Sequence, residues 1–221
     1  MCYMISNDYP TQIQELVERH IASESASGAG NPFLVPAGVS NRHIHLCRKD
    51  LDTLFGPGYE LQPMKALYQK NDFAAKETLV VAGPKGAISK VRILGPLRTY
   101  TQVEVLISDG YTLGIKPPIR DSGSREPSPT LTLIGPAGSV TLNAGVLAAW
   151  RHLHLGASDA ARIGVRDGEM IQIRVPGERG LILDHVKVRV GAFIPEFHID
   201  VDEANAALVK TGDKLEVIKP V

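Results

Sequence analysis

Cysteine is nearly absent: Cys2 and Cys47 are the only two in 221 residues. Two thiols cannot build a disulfide framework, and no pair stands at zinc-finger spacing. Aromatic residues make up only 5% of the chain, against 21 glycines and 15 prolines. That mix favours short elements joined by tight turns over long helices. Neither sign of charge is in excess, with 24 Lys+Arg and 24 Asp+Glu. Broad neutralisation of a phosphate backbone is therefore not expected, and no nucleic-acid partner is implied. No apolar run approaches the ~20 residues of a membrane span. The opening MCYMISNDYP has no basic stretch followed by an apolar one, so no secretory signal is expected. These absences together predict a soluble, reduced, cytoplasmic protein. P-loop, dinucleotide-binding and Ser-His-Asp signatures are also missing.

What is present begins with a distinct first segment, residues 1–31. Pro10 can open a helix through QIQELVERHIASE, where Ile13, Leu16, Val17 and Ile21 share one narrow apolar face. SASGAGNP, residues 25–32, follows as a flexible tether. Such a helix either folds back on its own domain or docks on a partner. From residue 32 the pattern is mainly β. ETLVVAGPKGAISKVRILGP, TYTQVEVLISDGYTLGI, TLTLIGPAGSVTLN, EMIQIRVPGERGLILDHVKVRVGAF and DKLEVIKPV read as strands broken by Gly-rich turns. Short helices are expected at RKDLDTLFG, ASDAARIG and VDEANAALV, with Asp50 and Ser158 near their N-terminal caps. Many short strands suggest sandwiches or barrels.

One internal repeat matters most. Arg42-His43-Ile44-His45-Leu46 recurs as Arg151-His152-Leu153-His154-Leu155, 109 residues later, and at the same displacement Asp50 matches Asp159. A strand end followed by a short helix is thus present twice, as in a duplicated barrel-like unit. On a strand, residues two apart point to one face, their backbones about 6–7 Å apart. Two such imidazoles can converge on one ion, and neutral imidazole suits Zn²⁺. Four of the seven histidines lie in these two H-x-H pairs.

Two histidines leave a catalytic ion short of ligands. Glu104 in QVEVLI points away from Val103, Val105 and Ile107, which by itself describes an ordinary solvent-facing carboxylate. His198 in EFHIDVDEAN lies opposite Phe197, Ile199 and Val201 and shares its face with Asp200; His185 has no paired neighbour. Cys47 is either a ligand or an inert core thiol, and the latter is favoured. Arg98 stands six residues before Glu104, so one continuous strand would put both on one face. A guanidinium there would bind phosphate bidentately or stabilise an oxyanion, unless it is simply an exposed strand-end arginine. Arg42 and Arg151 are supporting or structural residues.

VPAGVSNRHIHLCRKDLDTLFGPGYEL, KNDFAAKETL, VRILGPLRTYTQVE, GIKPPIRDSG and AWRHLHLGASDAARIGVRDGE closely resemble the PduL-type phosphotransacylases, the phosphate propanoyltransferases often associated with bacterial microcompartments. The resemblance covers residues 32–221. It implies a mainly β fold of two intertwined β-barrel domains with short capping helices, preceded by the N-terminal amphipathic helix and linker. One barrel would take residues 32–41 and 150–221, the other 42–149. It implies two Zn²⁺, held by His43, His45, Glu104, His152, His154 and His198. Three protein ligands per ion would leave each with an open position, the mark of a catalytic site. It also implies Arg98 as the active-site arginine, and coenzyme A contacts near Ser40, Lys65, Arg92, Leu94 and Asn205. The implied reaction joins a short-chain acyl-CoA, propanoyl-CoA expected, with inorganic phosphate to give acyl phosphate and coenzyme A. Residues 1–31 would direct the enzyme to microcompartment shell or core proteins, and the apolar helix also suits self-association into a homo-oligomer. Two other readings use the same residues: a dizinc hydrolase of a thioester, ester or amide, and a non-catalytic metal-stabilised scaffold.

Overall fold

The structure is a computed structural model that describes residues 32–218. Its strands sort into two sheets. The first closes into a six-stranded barrel in the order β1 (Leu34–Ser40), β14 (Glu196–Asp200), β11 (His152–Leu155), β13 (Leu181–Val190), β12 (Met170–Val175) and β15 (Lys214–Ile218). The second has nine strands. It runs β7 (Ile119–Arg120), β10 (Val146–Ala149), β6 (Gln102–Glu104), β2 (His43–Cys47), β5 (Ala87–Arg98), β4 (Phe73–Ala82), β8 (Pro127–Ile134), β9 (Ser139–Ala144), with β3 (Pro63–Ala66) on β4. Four short helices complete the fold: α1 (Arg48–Phe55), α2 (Asp109–Leu113), α3 (Ala157–Ile163) and α4 (Val201–Ala207). The expectation of a mainly β fold with barrel and short helices holds. The amphipathic helix read at residues 10–22 lies outside the described residues.

The chain leaves the barrel after Ser40, builds the second sheet from residues 43–149, and returns to the barrel at His152. Each sheet has its own apolar filling. In the barrel, Leu153 pairs with Phe197 on one side and Val188 on the other, all three fully enclosed. In the second sheet Ile44 and Leu46 pack with Leu51 and Leu54 of α1, Ile93 of β5 and Val103 of β6. The alternation along each H-x-H strand therefore commits Ile44/Leu46 and Leu153/Leu155 to separate cores and turns the histidines to the opposite face.

Two local readings are corrected. The pattern of TYTQVEVLISDGYTLGI predicts strand, turn, strand. Only Gln102–Glu104 is a strand, and DGYTL is the helix α2, because the Asp109 carboxylate accepts the Leu106 amide proton at 2.9 Å and turns the backbone there. Nor do Asp50 and Ser158 cap their helices. Cys47 and Gly156 occupy those positions without a side-chain bond, whereas Asp200 caps α4 by accepting from the Glu203 amide.

Truncating Leu153 to alanine removes the centre of the barrel's inner row. We expect a loss of about 2–5 kcal/mol in unfolding free energy, read as a lower urea midpoint at unchanged slope.

Candidate functional site

The repeated strands have the same neighbours. β2 runs parallel to β5 and antiparallel to β6; β11 runs parallel to β13 and antiparallel to β14. Register then explains what spacing alone left open. His43 lies opposite Glu104, and His152 lies opposite His198. Residues directly opposite on neighbouring strands share a face of the sheet. The six side chains accordingly form two groups, His43–His45–Glu104 and His152–His154–His198, the potential ligand atoms of each lying within 4.8 Å of one another. The histidines of both doublets and Glu104 are buried, His198 half-buried. The other candidates read beside His198 lie elsewhere: His185 is exposed, and Asp200 is spent on its helix cap.

The leading histidine of each pair is held the same way. Nδ1 of His43 is 2.8 Å from the Asn41 carbonyl, and Nδ1 of His152 is 2.7 Å from the Trp150 carbonyl. A carbonyl only accepts, so Nδ1 carries the proton and Nε2 keeps its lone pair for an ion. Burial, helped by His43 and the charge of Arg98, holds His45 down at about 2. Burial together with His152 and His198 holds His154 at about 2, and burial with His198 holds His152 at about 4. These imidazoles are neutral at pH 7, the form that ligates. Burial alone would raise Glu104, but His43, His45 and a hydrogen bond from Ser122 outweigh it and hold the carboxyl at about 2. His154 Nδ1 is buried without a hydrogen-bond partner among the described residues. A desolvated polar atom left over in this way fits a missing electrophile. Nitrogen and oxygen donors with no thiolate suit zinc or a similar divalent ion.

Two supporting residues escaped the sequence reading. Gln102, opposite His45, donates to Glu104 Oε1 at 2.6 Å. Glu196, opposite His154, lies 3.1 Å from His198 Nε2 and accepts from Gln69 at 2.9 Å. Each stands two residues before the third donor, on its face; that spacing was the available signal. Each group thus contains one carboxylate, as a member in the first and as a neighbour in the second. Gly38 faces His198 closely: a Cβ there would run into its ring.

The two groups lie within one compact unit that begins at Leu34, near enough for Glu104 to act electrostatically on His152. Lys187, opposite His152, reaches Asp121, and the adjoining Ser122 donates to Glu104 at 2.5 Å. Gln69 of the second sheet's half also exchanges hydrogen bonds with the backbone of Ile194 in the barrel's half. Phe193 stacks on His154 with ring centroids 4.2 Å apart.

Arg98 ends β5 and Glu104 ends β6, so the single continuous strand expected between them does not exist. Arg98 instead stands opposite Cys47, two positions beyond His45, and interacts electrostatically with Glu104. Burial lowers its guanidinium somewhat. Cys47 is a free, half-buried thiol beside the Thr101 hydroxyl. Among the expected coenzyme A contacts, Lys65 and Leu94 share a cross-strand row with His45 through Ala74, and Arg92 shares one with His43. Ser40 ends β1 two residues past Gly38, and Asn205 is exposed on α4. Arg42 and Arg151 do not face the groups. They clamp Asp109 of α2 and Glu203 of α4 at 2.7–2.8 Å, fixing the helix that follows each third-donor strand.

The family model for phosphate propanoyltransferase matches residues 36–210. The chain belongs to the phosphate propanoyltransferase family. It is 52% identical over 200 residues to a phosphate propanoyltransferase of Rhodopseudomonas palustris, covering 90% of this chain and 88% of that one. A phosphate propanoyltransferase of Thermotoga maritima is 50% identical over 184 residues, 82% of this chain and 88% of its own. One from Listeria monocytogenes is 40% identical over 97% of this chain and 98% of its own. As a member of this family the protein is an acyltransferase enzyme. Among the described residues no helix is long and apolar enough to cross a membrane.

The buried imidazoles make metal-free protein acid-sensitive. In the unfolded chain His45, His152 and His154 take up protons as pH falls through 6.5; in the fold they resist down to about 4 or 2. The unfolded state therefore binds more protons below pH 6.5, and stability falls with pH. These three groups should steepen the loss towards about 4 kcal/mol per pH unit near pH 5. Urea midpoints between pH 7.5 and 5 check this, and His154→Gln should flatten the slope by roughly a third.

Proposed function

We propose that this protein is a phosphate acyltransferase. It converts a short-chain acyl-CoA plus inorganic phosphate into acyl phosphate plus coenzyme A at a site for two divalent ions, zinc by preference. The observation that carries this reading is the pair of three-donor groups, five of their six side chains buried, with Arg98 near Glu104. The relatives' printed name supports propanoyl-CoA as the acyl donor. The halves formed by residues 32–41 with 150–221 and by 42–149 each supply one ion site.

His43, His45 and Glu104 would hold one ion, and His152, His154 and His198 the other. Bound there, such ions supply Lewis acidity towards oxygen and accept sulfur. Asn41 and Trp150 carbonyls fix the imidazole tautomers, and Gln102 with Ser122 orients the Glu104 carboxylate. Arg98 has the forked donor geometry to hold phosphate and to stabilise the oxyanion of the tetrahedral intermediate. A phosphate oxygen attacks the thioester carbonyl, the C–S bond breaks, and the proton released from phosphate ends on the departing thiol. Lys65, Arg92 and Leu94 on the second sheet, with Ser40 and Asn205 on the barrel side, would contact coenzyme A.

Residues 1–31 lie outside the described residues. Their amphipathic pattern and Gly/Ser tether suit capture by microcompartment shell or core proteins, and the helix also suits self-association.

Arg98→Ala should retain bound metal, measured by elemental analysis, and lose about 10²–10³ in turnover. Chelation should abolish coenzyme A release and Zn²⁺ should restore it. In both experiments release must depend on added phosphate and yield acyl phosphate. Release at the same rate without phosphate would mean a hydrolase instead. Deleting residues 1–31 should leave turnover intact and end co-purification with shells; persistent co-purification would refute the targeting role.

A further inference from the structure

Seven arginines among the described residues are half-buried: Arg42, Arg48, Arg92, Arg98, Arg120, Arg151 and Arg189. Five have partners. Arg42 and Arg151 clamp Asp109 and Glu203, Arg48 bonds Asp52 and Glu60, Arg92 donates to the Ala75 and Lys76 carbonyls, and Arg120 pairs with Glu126. Arg98 and Arg189 alone form no hydrogen bond or ion pair among the described residues.

Arg189 stands on β13 directly opposite His154, and so shares its face. Arg98 stands opposite Cys47, on the strand that carries His43 and His45. One unpartnered guanidinium thus rises from each half of the molecule beside its donor group. They are close enough to interact: burial chiefly, and the charge of Arg189 to a lesser degree, push Arg98 down, and Arg189 acts on His152 and His154 as well. Glu104 and Asp72 offset part of this charge on Arg98, but neither forms a hydrogen bond or ion pair with it, so both guanidinium forks keep their donors free for an anion. Five donors in a planar fork suit the oxygens of a phosphate better than a point charge would.

We propose that Arg189 is a second phosphate-binding arginine, which with Arg98 grips inorganic phosphate in the forward reaction and the phosphoryl group of acyl phosphate in reverse. This rests on the acyltransferase reading above. Arg98 reaches the phosphoryl oxygens from the second sheet and Arg189 from the barrel, so that the anion is held only where the two halves meet. Lys187 on the same strand does not share the role, since Asp121 already neutralises it.

The metal-loaded enzyme and its Arg189→Gln and Arg189→Lys variants test this. Arg189→Gln should raise the KM for phosphate by about 10–100-fold. It should leave the KM for acyl-CoA within about twofold and the metal content unchanged. Phosphate alone, without acyl-CoA, should raise the thermal midpoint of the unsubstituted enzyme and not that of Arg189→Gln. Arg189→Lys, which keeps charge but loses the fork, should fall between the two. An unchanged phosphate KM and undiminished thermal protection in Arg189→Gln would overturn the assignment. So would a rise confined to the acyl-CoA KM, which would place the guanidinium on the coenzyme. Should Arg189→Gln not fold, a phosphate KM for Arg189→Lys equal to that of the unsubstituted enzyme overturns it equally. Absence of phosphate-dependent transfer in the unsubstituted enzyme would instead reject the acyltransferase reading; the thermal-protection comparison would still judge Arg189.

Discussion

The arrangement depends on a division of labour along two short strands, His43–Cys47 and His152–Leu155. In each, the aliphatic side chains fill the core of their own sheet and the imidazoles face the other way. Outward-facing residues on a β-structure are ordinarily solvated, yet these histidines are buried. A slip of one residue in either register would send imidazoles into an apolar core and leucines onto the site. Core packing and site geometry are therefore fixed by one constraint, and neither can drift alone.

The two halves resemble one another more deeply than the repeated pentapeptide suggests. Parallel and antiparallel neighbours, the opposed third donor, the polar residue two positions before it, and the arginine clamp on the next helix all occur twice. The chemistry is not copied. Glu104 and Gln102 on one side correspond to His198 and Glu196 on the other, so carboxylate and nitrogen donor have exchanged places. Each side retains a carboxylate against a histidine, Glu104 with His43 and Glu196 with His198. A divalent ion on either side would meet similar net charge but a different donor set.

Much of this was legible in the sequence, and the limits have physical causes. Gly-rich turns between alternating runs marked most strands, and the H-x-H repeat was visible because its residues are contiguous. The pairing of His43 with Glu104 and of His152 with His198 was not, since register between distant segments leaves no local trace. Alternation misled at Ile107, where the hydrophobic pattern continues past the end of β6 while the backbone already turns into α2. Arg189 gave no signal: in DHVKVRV it is one polar position among several, and only register with His152–Leu155 puts it opposite His154. The resemblance to a known family gave the donor set, whereas Gln102, Glu196 and Arg189 had to come from the fold.

The threading of the chain sets an order in time. The second sheet is continuous in sequence, so His43, His45 and Glu104 can come together once residue 149 has left the ribosome. Leu34–Ser40, made first of all the described strands, pairs only with Glu196–Asp200 and Lys214–Ile218, made last. During synthesis it must wait, unpaired, for nearly the whole polypeptide. The barrel-side donors are consequently the last to assemble, and a nascent enzyme passes through a stage at which only half of its centre exists.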